Sequence, residues 1–241
     1  MAKPLAKRRE TVLPIDISGW KHVFKLDPDR YLSDEELDRI CLSGTDAIMV
    51  GGSTGITFDN TIDLLSRVRR YEVPCALEIS ANEAVVPGFD CYFVPVVLNT
   101  EDGQWITGHH RQAIRDFGAT LDWDLVIPEA YVILNPYSTV AELTGATRVA
   151  DDKDLVAYAR MADKLFRFPV FYMEYSGTFG NMELVKRAAG VLQQAQLFYG
   201  GGIDGPDKAR QAAAAAHTVV VGNIIYDDVD RALATVQAVK G

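Results

Sequence analysis

The chain has 241 residues, 48% of them hydrophobic and 24% charged, and a chain of this length can bury a large core without disulfides or a structural metal. Its formal net charge of −9 at pH 7 argues against nucleic acids and anionic membranes as nonspecific partners. The cysteines Cys41, Cys75 and Cys91 are scattered and form no CxxC pair, so neither a zinc site nor a disulfide framework is predicted.

Residues 1–19 are polar and basic, and they predict a flexible tail before a single catalytic domain over residues 20–241. The tail lacks the apolar stretch of a secretory signal. No apolar run in the chain reaches the ~18 residues that a membrane-spanning helix needs. We therefore expect a cytoplasmic protein.

Short runs rich in β-branched and aromatic residues recur along the chain, and their length and composition favour strands over helices. The predicted strands are His22–Pro28, Ala47–Gly52, Cys75–Ser80, Cys91–Leu98, Ala130–Leu134, Val170–Ser176, Leu197–Gly202 and Thr218–Asn223. Amphipathic stretches between them predict helices at Ser33–Ser43, Asn60–Arg70, Gln104–Phe117, Asp152–Leu165, Asn181–Gln194, Gly205–His217 and Asp228–Val239. The segment between Ser80 and Cys91 is too short and broken for a full helix.

Alternating strands and helices imply parallel strands joined by right-handed crossovers. Eight such units predict an α/β fold of the (β/α)₈ TIM-barrel type, modified by a short or missing crossover helix after the third strand. The alternative is an open doubly wound sheet. The sequence contains neither a GxGxxG turn after the first strand nor a GxxxxGK[ST] loop, so the usual nucleotide-binding signatures of open sheets are absent.

Charged residues lie within the first predicted strand, where side chains alternate between the two faces. Phe24 and Leu26 share the face suited to the helices, so Lys25 and Asp27 share the face that points into the barrel at its C-terminal rim. Buried charges are costly unless they are used or compensated. In one interpretation, Lys25 binds a phosphate and Asp27 binds a divalent cation. In the other, Lys25 and Asp27 pair with each other and take no part in chemistry.

The sixth strand repeats this pattern, because Tyr172, Glu174 and Ser176 alternate with the apolar face. A carboxylate between two hydroxyl side chains in a buried strand is a candidate base, although a hydrogen-bonded core glutamate would look the same. Glu78 has inward parity on the third strand, with function and structure equally open. Ser53 follows the second strand and brings a hydroxyl to the rim.

Glycines end the seventh and eighth predicted strands, at Gly200–Gly202 and at Gly222 before Asn223. Glycine lets backbone amides approach a ligand closely. The loops after these two strands form the recurrent phosphate site of TIM barrels. The sequence therefore predicts a small phosphorylated substrate at the C-terminal rim, although glycines needed only for tight turns would give the same pattern.

Several long segments resemble the PcrB family, which comprises archaeal geranylgeranylglyceryl phosphate synthases and bacterial heptaprenylglyceryl phosphate synthases. The resemblance covers nearly the whole chain from Trp20 to Gly241. The matching segments are Trp20–Pro28 (WKHVFKLDP), Val50–Ser53 (VGGS), Val73–Glu78 (VPCALE), Val86–Asp90 (VPGFD), Phe171–Gly177 (FYMEYSG) and Phe198–Ile203 (FYGGGI).

The resemblance implies Mg²⁺-dependent transfer of a polyprenyl group from its diphosphate to the 3-hydroxyl of sn-glycerol 1-phosphate. By the family pattern, Mg²⁺ would be held by Asp27 and Ser53. Glycerol phosphate would be bound by Lys25, Tyr172, Met173, Glu174, Tyr175, Ser176, Gly177, Gly202, Gly222 and Asn223. Glu174 is our candidate for orienting the attacking hydroxyl and taking its proton, with Lys25 as the second catalytic residue. A homodimer and transient contact with a membrane are also expected.

One position bears on the length of the prenyl chain. Trp105, His109 and Ala113 are spaced by four residues and share one helix face. In the family, a bulky residue at the position of Ala113 resembles the archaeal, shorter-chain enzymes, and a small residue resembles the bacterial, longer-chain enzymes. Ala113 thus predicts a heptaprenyl donor, with a geranylgeranyl donor and the same chemistry as the alternative.

Two other functions stay open at this point. The first is another phosphate-binding barrel enzyme, an isomerase or an aldolase with Lys25 as its Schiff base. A Schiff-base lysine needs a lowered pKa, and a nearby Asp27 would act in the opposite direction. The second is a non-catalytic protein that binds a phosphorylated metabolite, although such a protein has no need of Lys25, Asp27 and Glu174 together.

Overall fold

The computed structural model describes residues 15–80 and 85–241. Eight parallel strands close into a barrel in which each strand pairs with its neighbours in sequence and β8 pairs with β1. The strands are β1 His22–Leu26, β2 Ala47–Val50, β3 Cys75–Glu78, β4 Cys91–Val97, β5 Val126–Ile133, β6 Val170–Glu174, β7 Gln196–Gly200 and β8 Thr218–Val221. The prediction of a (β/α)₈ barrel is confirmed, and the open sheet is excluded.

Helices surround the barrel and carry the crossovers. They are α1 Asp34–Cys41, α2 Phe58–Val68, α3 His109–Phe117, α4 Thr139–Thr144, α5 Asp152–Arg160, α6 Met182–Ala189, α7 Pro206–Ala213, α8 Ile224–Asp227 and α9 Val229–Lys240. A capping box begins α1 at Ser33, whose side chain accepts from the Glu36 amide while Glu36 reaches back to Ser33. A second capping box joins Thr57 and Asn60 at the start of α2. These reciprocal bonds satisfy amides that have no partner within a helix.

The strand alternation sorts the core into two layers. Phe24, Leu26, Phe171 and Met173 point outward and pack against the helices. Side chains of the opposite parity fill the barrel interior and are buried together. This inner layer includes Val23, Met49, Ala76, Phe93, Ile127, Tyr131, Tyr172, Phe198 and Val220. The inward parity predicted for the first and sixth strands is therefore correct.

Several elements differ from the prediction at their ends. The strand β5 begins at Val126 rather than at the predicted Ala130. The prediction missed its first residues because Pro128 and Glu129 weaken the sequence pattern of a strand. The short helices α4 and α8 were not predicted. The helices predicted at Gln104–Phe117 and Asp152–Leu165 each contain a π-helical segment, at Gln104–Gly108 and Met161–Phe166.

The crossover after β3 contains no helix in the residues that are described on either side of 81–84. Residues 1–14 of the predicted tail lie outside the described part. Ile17–Gly19, however, form a 3₁₀ turn, and Ile17 is buried in the inner layer. The Gln196 side-chain amide donates to the Ile17 and Trp20 carbonyls. Ile17–Gly19 therefore belong to the barrel and not to a flexible tail. Among the described residues, no helix is long and apolar enough to cross a bilayer.

Candidate active site

A cavity of about 540 Å³ opens at the C-terminal end of the barrel. The C-terminal ends of β1, β6, β7 and β8 and the loops that follow β2, β6, β7 and β8 form its wall. Active sites of this fold lie at this end of the barrel. The cavity is lined by ten of the residues predicted to form a site, which are Lys25, Asp27, Ser53, Tyr172, Glu174, Ser176, Gly177, Gly202, Gly222 and Asn223.

Lys25 lies at the base of this cavity and is paired with Glu78 of β3. Its Nζ donates to Glu78 Oε2 and lies 5.8 Å from the centre of the Tyr172 ring. Burial lowers the pKa of Lys25, but the carboxylates of Glu78 and Glu174 outweigh that effect and raise the pKa above its ordinary value. Lys25 is therefore an ammonium group. The predicted alternative of a Lys25–Asp27 pair is wrong, because the partner comes from across the barrel.

Glu174 ends β6 and is buried, with its carboxylate facing the cavity. Its Oε2 accepts a hydrogen bond from the Tyr131 hydroxyl at 2.7 Å, and its Oε1 accepts one from the Ser176 amide at 2.6 Å. Burial raises the pKa of Glu174, and Lys25 and the Tyr131 hydrogen bond oppose that rise. A fixed carboxylate with a raised pKa can accept a proton from a bound hydroxyl group.

The loops after β6 and β7 approach each other at glycines. Gly201 and Gly202 have φ values of +123° and +63°, a region in which other residues are strained. A Cβ atom at Gly202 would collide with the backbone of Thr178 and Phe179. The two loops therefore pack at a distance that only glycine permits. Bare backbone at this rim, next to Gly177 and Gly222, suits the close approach of a phosphate.

Asp27 and Ser53 lie on the opposite side of the same cavity. Asp27 is half-buried, and its backbone amide donates to the Tyr226 hydroxyl at 2.7 Å. A Cβ atom at Gly52 would lie 2.7 Å from the Asp27 carboxylate, so that glycine leaves the carboxylate room. Burial raises the pKa of Asp27, and among the described residues the nearest ion pairs join Lys25 to Glu78 and Arg30 to Asp227 rather than to Asp27.

Asp27 and Ser53 offer a carboxylate and a hydroxyl group as possible Mg²⁺ ligands. Within residues 15–80 and 85–241, no group of three or more His, Cys, Asp or Glu side chains could hold a metal. Mg²⁺, however, is often held by only one or two carboxylates together with the phosphates of a substrate. One uncompensated carboxylate and one hydroxyl group at a cavity rim fit a Mg²⁺ ion that arrives with a phosphorylated substrate.

A smaller cavity of about 70 Å³ adjoins the first and shares Lys25, Gly52 and Ser53 with it. The rest of its wall is mostly apolar and includes Ile79, Pro95, Val97, Trp105, Val140 and Leu143. The Trp105 ring packs against His109 at 5.0 Å between centroids. The helix α3, which contains His109 and Ala113, has no buried residue. This mostly apolar cavity adjoins the polar site next to Trp105, in the π-helical segment that precedes α3.

Three predicted residues lie away from both cavities. Met173 and Tyr175 have outward parity and pack among the helices, and the Tyr175 ring lies 5.8 Å from that of Tyr199. Their side chains cannot touch a ligand in the barrel, because alternation places them on the opposite face from Glu174. Ala113 is partly exposed on α3 and borders neither cavity.

Sequence reasoning missed three side chains that shape the site. Tyr131 binds Glu174, Tyr226 fixes the Asp27 backbone, and Glu129 lies buried in the barrel below them. Tyr131 lies inside the predicted strand Ala130–Leu134 and could have been found from its inward parity, and extending that strand backward would have added Glu129 on the same face. Tyr226 gave no signal, because its helix α8 was not predicted.

Known proteins resemble this chain over nearly its whole length. The PcrB family model matches residues 15–240. A heptaprenylglyceryl phosphate synthase of Bacillus cereus strain AH187 is 57% identical over 226 residues, which cover 94% of this chain and 99% of that protein.

Solved structures with the same fold are also related. The (S)-3-O-geranylgeranylglyceryl phosphate synthase of Thermoplasma acidophilum, in complex with its substrate sn-glycerol-1-phosphate, is 27% identical with a TM-score of 0.81, covering 92% of this chain and 94% of that one. A wild-type GGGPS from Thermoplasma volcanium is 26% identical with a TM-score of 0.79, covering 92% of each chain.

Proposed function

The chain belongs to the PcrB family, and we propose that it is a prenyltransferase that moves a polyprenyl group from its diphosphate to the 3-hydroxyl of sn-glycerol 1-phosphate. The observation that carries the proposal is Glu174, a buried carboxylate held by two hydrogen bonds in the cavity that the glycine rim lines. Its partner Tyr131 lines the adjoining apolar cavity. A base at this point can reach a hydroxyl group whose phosphate is bound at the rim.

The glycine rim supports binding of the acceptor substrate. Backbone at Gly177, Gly202 and Gly222 would surround the phosphate, and Asn223 adds a side-chain amide. This arrangement directs the glycerol end toward Glu174 and Lys25. Nζ of Lys25 has three donors, of which the pair with Glu78 uses one, so the others can orient an oxygen of the glycerol.

The transfer itself breaks the bond between the allylic carbon and the diphosphate oxygen. The 3-hydroxyl oxygen of glycerol 1-phosphate forms the new bond to that carbon, its proton passes to Glu174, and diphosphate leaves. Asp27 and Ser53 would hold Mg²⁺, which would offset the charge on the leaving diphosphate. Burial of Glu174 raises its pKa, which makes it a stronger base for this step.

The apolar cavity supports a long prenyl donor. Trp105, Val140 and Leu143 line this cavity. The cavity meets the larger one at Lys25 and Ser53, where the reacting carbon would lie. Ala113 is the small residue further along α3, on the side that carries Trp105 and His109. A small side chain there leaves room for a chain that extends past Trp105, so we propose heptaprenyl diphosphate as the donor.

A Schiff-base aldolase is disfavoured by the electrostatics of the site. A lysine nucleophile needs a lowered pKa, whereas Glu78 and Glu174 keep Lys25 protonated despite its burial. The same set of ionised groups has no evident use in a protein that only binds a metabolite.

We also propose that the protein acts as a homodimer in transient contact with a membrane, the source of its lipid donor. Ile114, Phe117 and Trp123 are large apolar side chains exposed on and after α3, on the side of the proposed prenyl path. Sedimentation of the purified chain tests the dimer. Co-sedimentation with lipid vesicles tests the contact, which should weaken when Phe117 and Trp123 are changed to serine.

A donor series tests the reaction. Purified protein, Mg²⁺ and labelled sn-glycerol 1-phosphate are incubated separately with farnesyl, geranylgeranyl, hexaprenyl and heptaprenyl diphosphates. Product that peaks with the heptaprenyl donor is expected. A peak with the geranylgeranyl donor would keep the reaction and refute the role of Ala113, and no product with any donor would refute the transferase.

A further inference from the structure

Glu129 is a carboxyl group inside the barrel that the proposed reaction does not use. It lies on β5 two residues before Tyr131, on the same inward face, and its exposed fraction is 0%. Neither carboxyl oxygen has a hydrogen-bond partner among the residues that the structure describes. A buried carboxyl group without partners is unfavourable, so its presence calls for a physical explanation.

The groups around Glu129 include one cation and several acids. Titratable side chains on five strands interact with Glu129 electrostatically. They are Lys25 on β1, Glu78 on β3, Cys91 on β4, Tyr131 on β5, and Tyr172 and Glu174 on β6. The other three strands add no titratable side chain to the inner layer, which they fill with residues such as Met49, Phe198 and Val220.

The single ammonium group does not neutralise Glu129. Lys25 is in contact with Glu78, and Glu174 already accepts two hydrogen bonds of its own. An ionised Glu129 would add a third carboxylate to one ammonium group in the buried interior of the barrel. Burial and the Glu78 carboxylate raise the pKa of Glu129 well above its ordinary value, which, with both oxygens buried and unpartnered among the described residues, favours the neutral carboxylic acid.

A neutral carboxylic acid carries one O–H donor, which needs an acceptor. Glu78 offers one, because its Oε2 is bound to Lys25 whereas its Oε1 is buried without a partner among the described residues. No direct hydrogen bond joins the two carboxyl groups among the described residues. Buried polar groups in this situation are usually bridged by an internal water molecule.

We propose that Glu129 is a positioning residue of the transfer site, which donates its proton through an internal water to Glu78 Oε1 and so holds the Glu78–Lys25 pair beneath the substrate. The inference rests on the proposed function only in naming that substrate. Glu78 then stays oriented toward Lys25, and Lys25 is kept away from Glu174. Glu174 stays available to accept the proton of the glycerol hydroxyl.

The protonation of Glu129 is tested by stability, which needs no activity. We compare the wild type with Glu129→Gln, a neutral side chain of the same shape, and with Ile127→Leu as a control on the same face of β5. If a carboxyl group stays protonated only in the folded state, the folded protein loses stability as the pH rises above the pKa of that group in the unfolded chain. The folding equilibrium constant of the wild type should therefore fall by about tenfold per pH unit relative to Glu129→Gln above about pH 4.5. Parallel curves for the two proteins would overturn the proposal.

The positioning role is tested by binding of sn-glycerol 1-phosphate, measured by calorimetry, and by the pH profile of turnover. Glu129→Gln should bind within about threefold of the wild type, because its amide can still donate, and Glu129→Leu should bind about tenfold more weakly or worse, since Glu78 loses its support. Turnover of the wild type should fall at alkaline pH where Glu129 ionises, and Glu129→Gln should lack that fall.

Equal binding by Glu129→Leu and the wild type would refute positioning even if the acid is neutral. Absence of product with every prenyl donor would refute the transferase. The stability curves would still decide the state of Glu129 in that case.

Discussion

The substitution Glu174→Gln separates proton transfer from the shape of the site. The Gln carbonyl oxygen can accept from the Ser176 amide, as Glu174 Oε1 does at 2.6 Å. The Gln NH₂ group can donate to the Tyr131 oxygen, which reverses the present bond of 2.7 Å. Both contacts are kept and only the ability to take a proton is lost, so the variant should fold and bind glycerol 1-phosphate normally.

The size of the effect follows from the role. A positioned general base contributes about 100-fold to 10,000-fold to a rate, which corresponds to about 2.7 to 5.5 kcal/mol of activation free energy. We expect kcat to fall by this factor and KM for glycerol 1-phosphate to change by less than about threefold. Because burial raises the pKa of Glu174, wild-type kcat should also fall as the pH drops through that raised value. The variant should lack this acidic limb.

The assay measures labelled glycerol 1-phosphate converted to lipid-soluble product, at saturating prenyl diphosphate and across a range of pH. Tyr131→Phe is the informative second variant. It removes a hydrogen bond that lowers the pKa of Glu174, so the acidic limb should move to higher pH while the base is retained. Full turnover by Glu174→Gln would refute the assignment of the base.

Three further predictions concern the rest of the site. Gly202→Ala should abolish measurable glycerol 1-phosphate binding in calorimetry, because the left-handed φ costs about 1–2 kcal/mol and the new Cβ would collide with the β6–α6 loop. In the control Gly19→Ala the new Cβ meets nothing within 4 Å, so this variant should bind normally. Ala113→Trp should shift the preferred donor from heptaprenyl toward geranylgeranyl diphosphate in the donor series, and an unchanged preference would remove Ala113 from the prenyl path. Asp27→Asn should raise the Mg²⁺ concentration for half-maximal turnover by about tenfold or more, since an amide oxygen attracts the ion less than a carboxylate does, and an unchanged Mg²⁺ titration would exclude Asp27 as a ligand.

Side-chain parity explains why much of this site could be predicted from the sequence. A strand has a strict period of two, so the apolar partners Phe24 and Phe171 fixed which residues of their strands faced inward. That reasoning correctly placed Lys25 and Glu174 inside the barrel. The same rule also assigns Tyr175 to the outer face, where family pattern alone had grouped it with the ligand residues.

Parity does not identify partners across a barrel. Lys25 pairs with Glu78 rather than Asp27, because the contact depends on the stagger between strands and not on either strand alone. Glu129 was missed for a different reason. Pro128 cannot donate to a neighbouring strand, which made the start of β5 read as a loop and placed Glu129 outside the predicted element.

The charges inside the barrel constrain how an anionic substrate can bind. Lys25 is already opposed by the Glu78 and Glu174 carboxylates, so the site has little net positive charge to offer a phosphate. In the proposed reaction, the phosphate would therefore depend on backbone amides at the glycine rim, and the diphosphate on a cation beside Asp27. This separation leaves the interior carboxylates near the hydroxyl group that must lose its proton. A free lysine at the base of the cavity would attract the phosphate inward and would take the space that the attacking hydroxyl needs next to Glu174.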